Sequence, residues 1–105
     1  MGFFGFGGPN INEGLKQCEA TPDALLLDVR ERDEYRQGRV PGSRNLPLSA
    51  IQGITEVTED FDRPLFVYCL SGARSRQAAA LLQGMGYRNV TNIGGINRYN
   101  GPIER

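Results

Sequence analysis

The sequence predicts an open α/β domain with a mainly parallel β-sheet flanked by helices. Two continuous apolar runs, at residues 24–29 and 65–69, have the character of strands covered on both faces, and such strands are typical of parallel sheets. A helix-forming segment follows each run, as in open α/β domains. At 105 residues the chain is long enough for one hydrophobic core and too short for two domains.

Caps and helix breakers define the elements of the first half. Asn10 is a helix-capping residue. Apolar side chains recur behind it at helical spacing, at Ile11, Leu15 and Cys18. Gly38 closes a short charged segment, as glycine often closes a helix. The predicted elements of this half are a helix at residues 10–20, a strand at 24–29, a helix at 31–37, an extended piece at 44–47 and a helical turn at 48–52.

The second half continues the alternation of strands and helices. Pro64 introduces a buried strand, and an amphipathic helix follows it after a loop. The apolar positions of this helix recur at i, i+3, i+4 and i+7, and they are Ala78, Leu81, Leu82 and Met85. The predicted elements of this half are a strand at residues 65–69, a helix at 75–85, a short strand at 89–93, a turn at 94–95 and a last helical segment that ends at residue 100.

The zero net charge of the chain hides an uneven distribution. The 12 basic and 12 acidic side chains balance overall, whereas a nucleic-acid-binding domain is usually strongly basic. Residues 1–62 nevertheless carry a net charge of −5, and residues 63–103 hold five arginines and no acidic residue. This carboxylate-free segment contains Cys69. It predicts an electropositive pocket for a small anion, unless folding brings Asp28 or Glu31 close to the cysteine.

The absence of histidine narrows the possible chemistry. It excludes Ser/His/Asp and Cys/His activation of a nucleophile and every metal site that contains histidine. The two cysteines lie 51 positions apart, which is too far for a zinc knuckle. The sequence therefore predicts neither a metal nor another cofactor.

The first nine residues differ in composition from the rest. We expect a Gly/Phe-rich arm at residues 1–9 and a single domain at residues 10–105. The arm lacks the basic region and the long apolar stretch of a signal peptide, and no other window approaches the roughly 20 apolar residues of a membrane span. Two cysteines without an export signal favour a reducing compartment. The expected location is the cytoplasm, away from membranes.

The segment from Cys69 to Ser75 joins the end of a buried strand to a helix, and ligands of open α/β sheets bind at this edge. Backbone N–H groups of the loop and the positive end of the helix can converge on an anion there. Arg74 and Arg76 add positive charge, and Gly72 allows the chain to curl around the anion. Together these features favour a thiolate with a pKa below the value of about 8.5 of a free thiol. The alternative is a cysteine that only fills the core.

The motifs and their order resemble those of a single-domain rhodanese. They are Leu27-Asp28-Val29-Arg30-Glu31, Glu34-Tyr35, Gly38, Pro41-Gly42-Ser43, Asn45-Leu46-Pro47, Val67-Tyr68-Cys69, Gly72-Ala73-Arg74-Ser75, Gly86-Tyr87 and Gly94-Gly95. The resemblance runs from about residue 25 to residue 99. It implies a rhodanese-like fold and a sulfurtransferase in which Cys69 takes the sulfane sulfur of thiosulfate or a similar anionic donor. The cysteine then carries this sulfur as a persulfide and passes it to cyanide or a thiol.

In this hypothesis Cys69 is the catalytic residue and the loop after it binds the substrate. The backbone N–H groups of the loop stabilise the thiolate and the persulfide. The predicted substrate-binding residues are Leu70, Ser71, Gly72, Ala73, Arg74 and Ser75. Arg74 is expected either to attract the donor or to brace the loop by bonding carbonyl groups. Ser75 is expected either to hydrogen-bond sulfur or substrate, or to act as a plain N-cap of the helix.

Three residues outside the loop are predicted to support the site. Asp28 and Arg30 follow the first buried strand, and we expect them to form a structural ion pair that fixes neighbouring loops. Arg44 is a candidate for the rim of the pocket, with a solvated surface arginine as the alternative. Cys18 lies in the apolar stripe of the first helix and is predicted to be a core residue.

Two other functions remain open at this point. Phosphatases and arsenate reductases of the rhodanese fold use a Cys-x₅-Arg loop, whereas this chain has Cys69-x₄-Arg74, and residues 63–103 hold no acid that would protonate a leaving group. The second alternative is a non-enzymatic module that binds a partner or relays a persulfide from a protein donor such as a cysteine desulfurase. Inactive modules of this kind usually lack the loop cysteine, which favours the enzyme.

Overall fold

A computed structural model describes residues 8–105, so the predicted arm at residues 1–9 lies almost wholly outside the described residues. Strands and helices alternate along the described chain. The strands are β1 (Leu25–Asp28), β2 (Arg44–Asn45), β3 (Leu65–Cys69) and β4 (Val90–Gly95). The helices are α1 (Ile11–Ala20), α2 (Arg32–Gln37), α3 (Ile54–Val57) and α4 (Ala73–Gly84), with 3₁₀ segments at Leu48–Gly53 and Ile96–Arg98.

The four strands form one parallel sheet in the order β2-β1-β3-β4. The predicted α/β architecture with a parallel sheet is confirmed. Strand β3 lies between β1 and β4, with Asp28 level with Tyr68 and Cys69 level with Gly95. The carboxyl ends of these three strands therefore meet around the cysteine.

The sheet is covered on both faces, which explains why β3 is apolar along its whole length and β1 is apolar up to its last residue, Asp28. Successive side chains of a strand point to opposite faces. Leu27 and Val67 pack in a cluster on the α4 side, whereas Leu26 and Phe66 pack on the α1 side. Cys69 belongs to the α4 side and is almost fully buried.

The helices among residues 8–105 are short. The longest of them, α4, has 12 residues, and none is long and apolar enough to cross a bilayer. Asn10 caps α1 as predicted, because its side chain accepts a hydrogen bond from the Asn12 N–H at 2.9 Å. Cys18 packs against the cluster on the α1 side, as predicted for a core residue, so the sheet separates it from Cys69.

Strand β4 runs two residues further than predicted. Gly94 and Gly95 were expected to form a turn, but both pair with β3. The register shifts at this point, between Val67 and Tyr68 of the neighbouring strand, and Gly94 adopts a φ of +102°. A glycine with positive φ accommodates such an irregularity within a strand. Gly94 and Gly95 therefore form the irregular last part of β4, and they are not a turn that follows the strand.

Helix α4 begins two residues before the predicted start. Its buried side chains are Ser75, Ala78, Ala79 and Leu82. Leu81 was predicted to face the core and is instead 48% exposed. The prediction for Leu81 was wrong because the buried face of α4 includes a polar residue, Ser75. A search for apolar side chains at helical spacing does not detect a buried serine.

Candidate active site

A cradle of backbone N–H groups holds the sulfur of Cys69. The Gly72 N–H donates to the sulfur at 3.0 Å, and the Ser75 N–H donates to it at 3.4 Å. Gly72 has a φ of +105°, a left-handed conformation that turns the chain back over the sulfur and starts α4. The sulfur thus lies at the positive end of α4, where a negative charge is favoured.

The cradle changes the acidity of Cys69. Burial raises the pKa of this thiol. Hydrogen bonds from the Ser75 side chain and from the N–H groups of Ser75, Gly72 and Ser71 lower it by more than burial raises it, so the pKa of Cys69 lies below the ordinary value of a thiol. The pKa of Cys18 moves the opposite way, because burial and then the Glu19 charge raise it. The predicted lowering at Cys69 is confirmed in direction, and hydrogen bonds from the loop cause it.

An alkylation experiment measures this difference in acidity. In a Cys18→Ser background, the rate of iodoacetamide alkylation of Cys69 should follow the thiolate fraction. We expect the midpoint of its pH profile below about 8.5, with the rate falling as the pH drops through that midpoint. A midpoint at or above the value of an ordinary thiol would show that the cradle does not stabilise the thiolate.

Arg74 is bound to a carboxylate from another part of the chain. Its two terminal nitrogens donate to the Glu34 carboxylate at 2.7 and 3.0 Å, which links α4 to α2. This hydrogen bond is the main reason that the pKa of Glu34 falls to about 2. The expectation of a loop without a nearby carboxylate is therefore wrong. The carboxylate bound to the loop arginine belongs to Glu34, and not to Asp28 or Glu31, the two acids that the sequence suggested. Arg74 braces the loop, which was one of its two predicted roles, but it does so by binding a carboxylate and not by bonding carbonyl groups.

Asp28 and Arg30 form the predicted ion pair at the end of β1. Their closest N···O distance is 2.7 Å, and both side chains are buried. Arg30 also donates to the Gly38 carbonyl oxygen at 2.7 Å and lies over the Tyr68 ring at 5.9 Å from its centre. The predicted ion pair is confirmed, and it joins β1 to the Gly38 segment and to β3.

The loop rests on Gly95 of β4. A Cβ atom at this position would overlap the Leu70 carbonyl oxygen and would lie 2.6 Å from the Ser71 Cα. Gly95 has ordinary extended dihedral angles, so the close approach of the loop is what requires glycine here. The Asn97 N–H also donates to the Leu70 carbonyl at 3.1 Å and holds the loop down on the chain that leaves β4.

Substitution of this glycine tests the support of the cradle. We expect Gly95→Ala to lift the loop from β4, weaken the N–H···S hydrogen bonds and raise the alkylation midpoint of Cys69 by about one pH unit. Gly84→Ala is the matched control, because a Cβ at Gly84 meets nothing within 4 Å. It should leave the midpoint unchanged and stabilise α4 by about 0.5–1 kcal/mol. An unchanged midpoint in Gly95→Ala would mean that β4 does not support the loop.

Two cavities lie on either side of the loop. The first, of about 470 Å³, is lined by Ser71, Gly72, Arg76 and Arg98 among others, and no acidic residue occurs in its described lining. The second, of about 440 Å³, is lined by Arg30, Arg105, Glu34 and Leu70 among others. Each cavity thus has two arginines in its lining, and the first is the electropositive cavity because it has no acidic residue to balance them.

The structure brings most of the predicted site together and leaves Arg44 out. The Gly72 and Ser75 N–H groups contact the sulfur, Arg74 is bound to Glu34, and Arg30, which is paired with Asp28, lines a cavity together with Leu70. Arg44 is exposed on the edge strand β2, and it lines neither of the two cavities. The alternative prediction for this residue, a solvated surface arginine, fits its position.

Three contributors to the site were not predicted from the sequence. Glu34 belongs to a motif of the resemblance, but its contact with Arg74 spans 40 positions. Asn92 accepts a hydrogen bond from the Ser75 hydroxyl at 2.7 Å. The alternative that Ser75 is an N-cap is wrong, since Gly72 is the cap. The third contributor, Gly95, lies against backbone atoms of Leu70 and Ser71 in a distant loop, and no sequence signal connected them.

The chemistry available here is that of an activated thiolate. Residues 8–105 hold no group of three or more histidine, cysteine or acidic side chains suited to a metal ion. The acid that contacts the loop, Glu34, is held ionised by Arg74. The arrangement suits a reaction in which the Cys69 thiolate attacks a substrate and the leaving group departs as an anion, without taking up a proton.

Comparison with known proteins agrees with this geometry. A family model described as a rhodanese-like domain matches residues 12–101. A sulfurtransferase of Allochromatium vinosum is 43% identical over 88 residues, which are 81% of this chain and 80% of that protein. The thiosulfate sulfurtransferase PspE of Escherichia coli is 38% identical over 71 residues, which are 67% of this chain and 68% of that protein.

Solved structures and longer relatives complete the comparison. A structure described as a rhodanese with anions from E. coli is 34% identical, with a TM-score of 0.73, and the match covers 78% of this chain and 98% of that one. Some relatives are longer, since the chain spans 65% of a matched protein of Schizosaccharomyces pombe and 64% of one of Bacillus subtilis.

Proposed function

The chain belongs to the rhodanese-like domain family, and from this premise we propose that it is a sulfurtransferase that moves a sulfane sulfur through a persulfide on Cys69. The proposed donor is thiosulfate or a related anion, and the acceptor is cyanide or a thiol. The observation that supports this most is the cradle, in which the Gly72 and Ser75 N–H groups point at the sulfur from 3.0 and 3.4 Å. The names of the A. vinosum and E. coli relatives also support it.

The first half of the reaction loads the cysteine. The Cys69 thiolate attacks the outer sulfur of thiosulfate, and a new S–S bond forms. The S–S bond of thiosulfate breaks, and its electron pair leaves with sulfite. The thiolate and thiosulfate carry three negative charges, which end on the persulfide and sulfite. The N–H groups of the cradle stabilise the charge on the sulfur without a proton transfer.

The second half of the reaction returns the cysteine to its resting state. Cyanide, or the thiolate of an acceptor, attacks the outer sulfur of the persulfide. The S–S bond of the persulfide breaks, and its electron pair returns to Cys69 as thiolate. The products are thiocyanate with cyanide, or a new persulfide with a thiol. The cradle then stabilises the leaving thiolate as it stabilised the nucleophile.

Neither half of this reaction needs an acid. Sulfite leaves as a stable anion and Cys69 leaves as a thiolate, which agrees with a chain that has no histidine. Phosphoryl transfer to a cysteine from a phosphate ester would need a proton for the leaving alkoxide. Glu34 is the acid in contact with the loop, and its pKa of about 2 leaves it without a proton near neutral pH. The sulfurtransferase is therefore favoured over the phosphatase and the arsenate reductase.

The electropositive cavity supports an anionic donor. Arg76 and Arg98 line this cavity beside the N-terminal end of α4, and an anion is attracted to such surroundings. The E. coli relative of known structure is described with anions. Donor anions are therefore proposed to approach from this side of the loop.

A reducing compartment such as the cytoplasm suits the proposal. Both cysteines are free, and a thiol can accept sulfur from a persulfide only while that thiol is reduced. In the same setting the donor can be the persulfide of another protein. This relay would use the same cradle and differs from the enzyme only in the source of the sulfur.

A steady-state assay separates these functions. The reduced protein is supplied with thiosulfate and cyanide, and thiocyanate formation is followed over many turnovers. The sulfurtransferase predicts catalytic turnover, retained by Cys18→Ser. Loading by a persulfidated cysteine desulfurase, but not by thiosulfate, would favour the relay. Hydrolysis of an aryl phosphate without thiocyanate formation would overturn the proposal in favour of a phosphatase.

A further inference from the structure

The two cavities beside the loop differ in chemistry. The described lining of the first cavity has no apolar side chain larger than proline, and its charged residues are Arg76 and Arg98. The second cavity has three large aliphatic side chains in its lining, which are Leu70, Ile96 and Ile103. A small anion suits the first lining, whereas an apolar group suits the second.

Most of the charge in the second cavity is already neutralised inside the protein. Arg30 lies 2.7 Å from the Asp28 carboxylate, and the Glu34 carboxylate lies 2.7 Å from Arg74. Arg105 is exposed, so solvent and salt screen its charge. The second cavity therefore does not need a charged ligand, and its aliphatic side chains determine what it binds best.

One wall of the second cavity comes from residues 103–105, and this segment is fixed to the domain. Glu104 and Arg39 exchange two backbone hydrogen bonds of 2.9 Å, and their side chains form an ion pair at 3.5 Å. Successive residues of an extended segment point to opposite sides. Because Glu104 pairs with Arg39, its neighbour Ile103 points the other way, where it lines the cavity. Ile103 also lies against Gly38, where an added Cβ would be 2.9 Å from its Cγ2 atom.

Another wall of the second cavity is Leu70, the residue that follows Cys69. Of the four large apolar residues that are exposed within residues 8–105, two line this cavity, Leu70 at 46% and Ile103 at 38% exposure. Asn97 lines both cavities and its N–H holds the Leu70 carbonyl at 3.1 Å, so the cavities meet beside the loop. Exposed apolar side chains that cluster in one cavity indicate a binding site.

We propose that the second cavity binds the carbon chain of the sulfur acceptor, an aliphatic thiol, whereas the anionic donor uses the first cavity. The inference rests on the proposed function, because it assigns the acceptor of the second half of that reaction. The acceptor thiolate attacks the outer sulfur of the persulfide, the S–S bond breaks, and its electron pair returns to Cys69. The product is the persulfide of the aliphatic thiol. During this attack the carbon chain lies against Leu70 and Ile103 and is removed from water, which stabilises the transition state.

Alkylation of the free cysteine tests the cavity without sulfur transfer. In the Cys18→Ser background, Cys69 is alkylated at one pH by iodoacetamide and by N-hexyl iodoacetamide, and each rate is divided by the rate of that reagent with N-acetylcysteine. The thiolate fraction cancels in the ratio of the two corrected rates. We expect the hexyl reagent to react about 10-fold faster, because its methylene groups are buried against the aliphatic side chains.

Variants of Ile103 test the origin of this preference. It should fall to about 3-fold or less in Ile103→Ser and stay near the wild-type value in Ile103→Met, which keeps an apolar side chain of similar size. Leu70→Ser removes another wall and should lower the preference in the same way. Leu81→Ser is the matched control, because Leu81 is 48% exposed and lies outside the lining of both cavities. A wild-type protein without a preference, or an equal preference in Ile103→Ser and Leu81→Ser, would overturn the inference.

Transfer from the loaded protein tests the assignment of the acceptor. Cys69 is loaded with thiosulfate, and loss of the persulfide is timed with 2-mercaptoethanol, with 6-mercapto-1-hexanol and with cyanide. Each thiol rate is corrected for the thiolate fraction of the thiol and divided by the cyanide rate of the same variant. The longer thiol should be preferred by about 10-fold in the wild type and in Leu81→Ser, and by about 3-fold or less in Ile103→Ser.

The two arms separate failure of the inference from failure of the proposed function. Equal rates with the two thiols in the wild type would overturn the assignment of the acceptor. A protein that is not loaded by thiosulfate but keeps the hexyl preference in alkylation would count against the proposed function, and the alkylation of the variants would still decide whether Ile103 and Leu70 form an apolar site beside Cys69.

Discussion

Substitution of Cys69 by serine should reduce thiocyanate formation by at least about 1,000-fold. The hydroxyl of serine fits the space of the thiol, but it stays protonated at neutral pH because hydrogen bonds from the cradle cannot lower its pKa far enough. It can therefore neither attack thiosulfate nor hold a persulfide. The rate is measured with thiosulfate and cyanide at concentrations that saturate the wild-type protein.

The second cysteine supplies the control for this loss. Cys18 lies on the opposite face of the sheet, and the pKa of its thiol is raised. Cys18→Ser should keep the wild-type rate within about 2-fold, as expected for a residue outside the site. Comparable activity in Cys69→Ser and the wild type would show that the reaction does not use Cys69.

Loss of the Asp28 carboxylate should destabilise the protein by about 3–5 kcal/mol. Arg30 is only 5% exposed and remains charged, so Asp28→Ala leaves a buried cation without its partner. The remaining contacts of this guanidinium, with the Gly38 carbonyl and the Tyr68 ring, do not carry a negative charge, and the nearby Glu34 carboxylate is bound to Arg74. The free energy of unfolding is measured by urea denaturation of the variant and the wild type.

The Asp62–Arg88 pair is the matched comparison, because its N···O distance is also 2.7 Å. Its side chains are 67% and 65% exposed, whereas those of Asp28 and Arg30 are 0% and 7% exposed. Asp62→Ala should leave the free energy of unfolding nearly unchanged, since solvent and salt screen an exposed pair. Equal effects of the two substitutions would show that burial does not determine the strength of the Asp28–Arg30 pair.

The buried strands and the reactive loop were predictable because local sequence determines them. A strand covered on both faces is apolar at nearly every position, and β3 has the predicted bounds of residues 65–69. The turn from β3 into α4 needs a residue that tolerates positive φ, and Gly72 supplies it. The lowered pKa of Cys69 follows from this local geometry, because Ser71, Gly72 and Ser75, whose hydrogen bonds lower it, lie within six positions of the cysteine.

The remaining features depend on contacts between distant segments. Arg74 was expected to place an unbalanced positive charge beside the sulfur, but Glu34 on α2 neutralises it. The Gly-Gly pair at residues 94–95 has the composition of a turn, and only the neighbouring strand and the loop above it show why glycine is needed in a strand. Periodicity and composition describe one segment at a time and do not contain such pairings.

The position of Arg44 illustrates the same limit. It was predicted to begin a short extended piece at residues 44–47 and to lie at the rim of the pocket, and it begins strand β2. The order of the strands decides whether that piece lies near the cysteine, and β2 is the edge strand beyond β1. Strand order depends on the whole fold, so the sequence of the segment did not reveal that Arg44 lies away from the loop.

Intact-mass spectrometry after incubation with thiosulfate tests the central claim most directly. The reduced protein should gain the mass of one sulfur atom, located on Cys69 by peptide mapping and lost again when cyanide is added. Cys18→Ser should gain the same mass, and Cys69→Ser should gain none. A wild-type protein that gains no sulfur, or an equal gain in Cys69→Ser, would contradict sulfur transfer through a persulfide on Cys69.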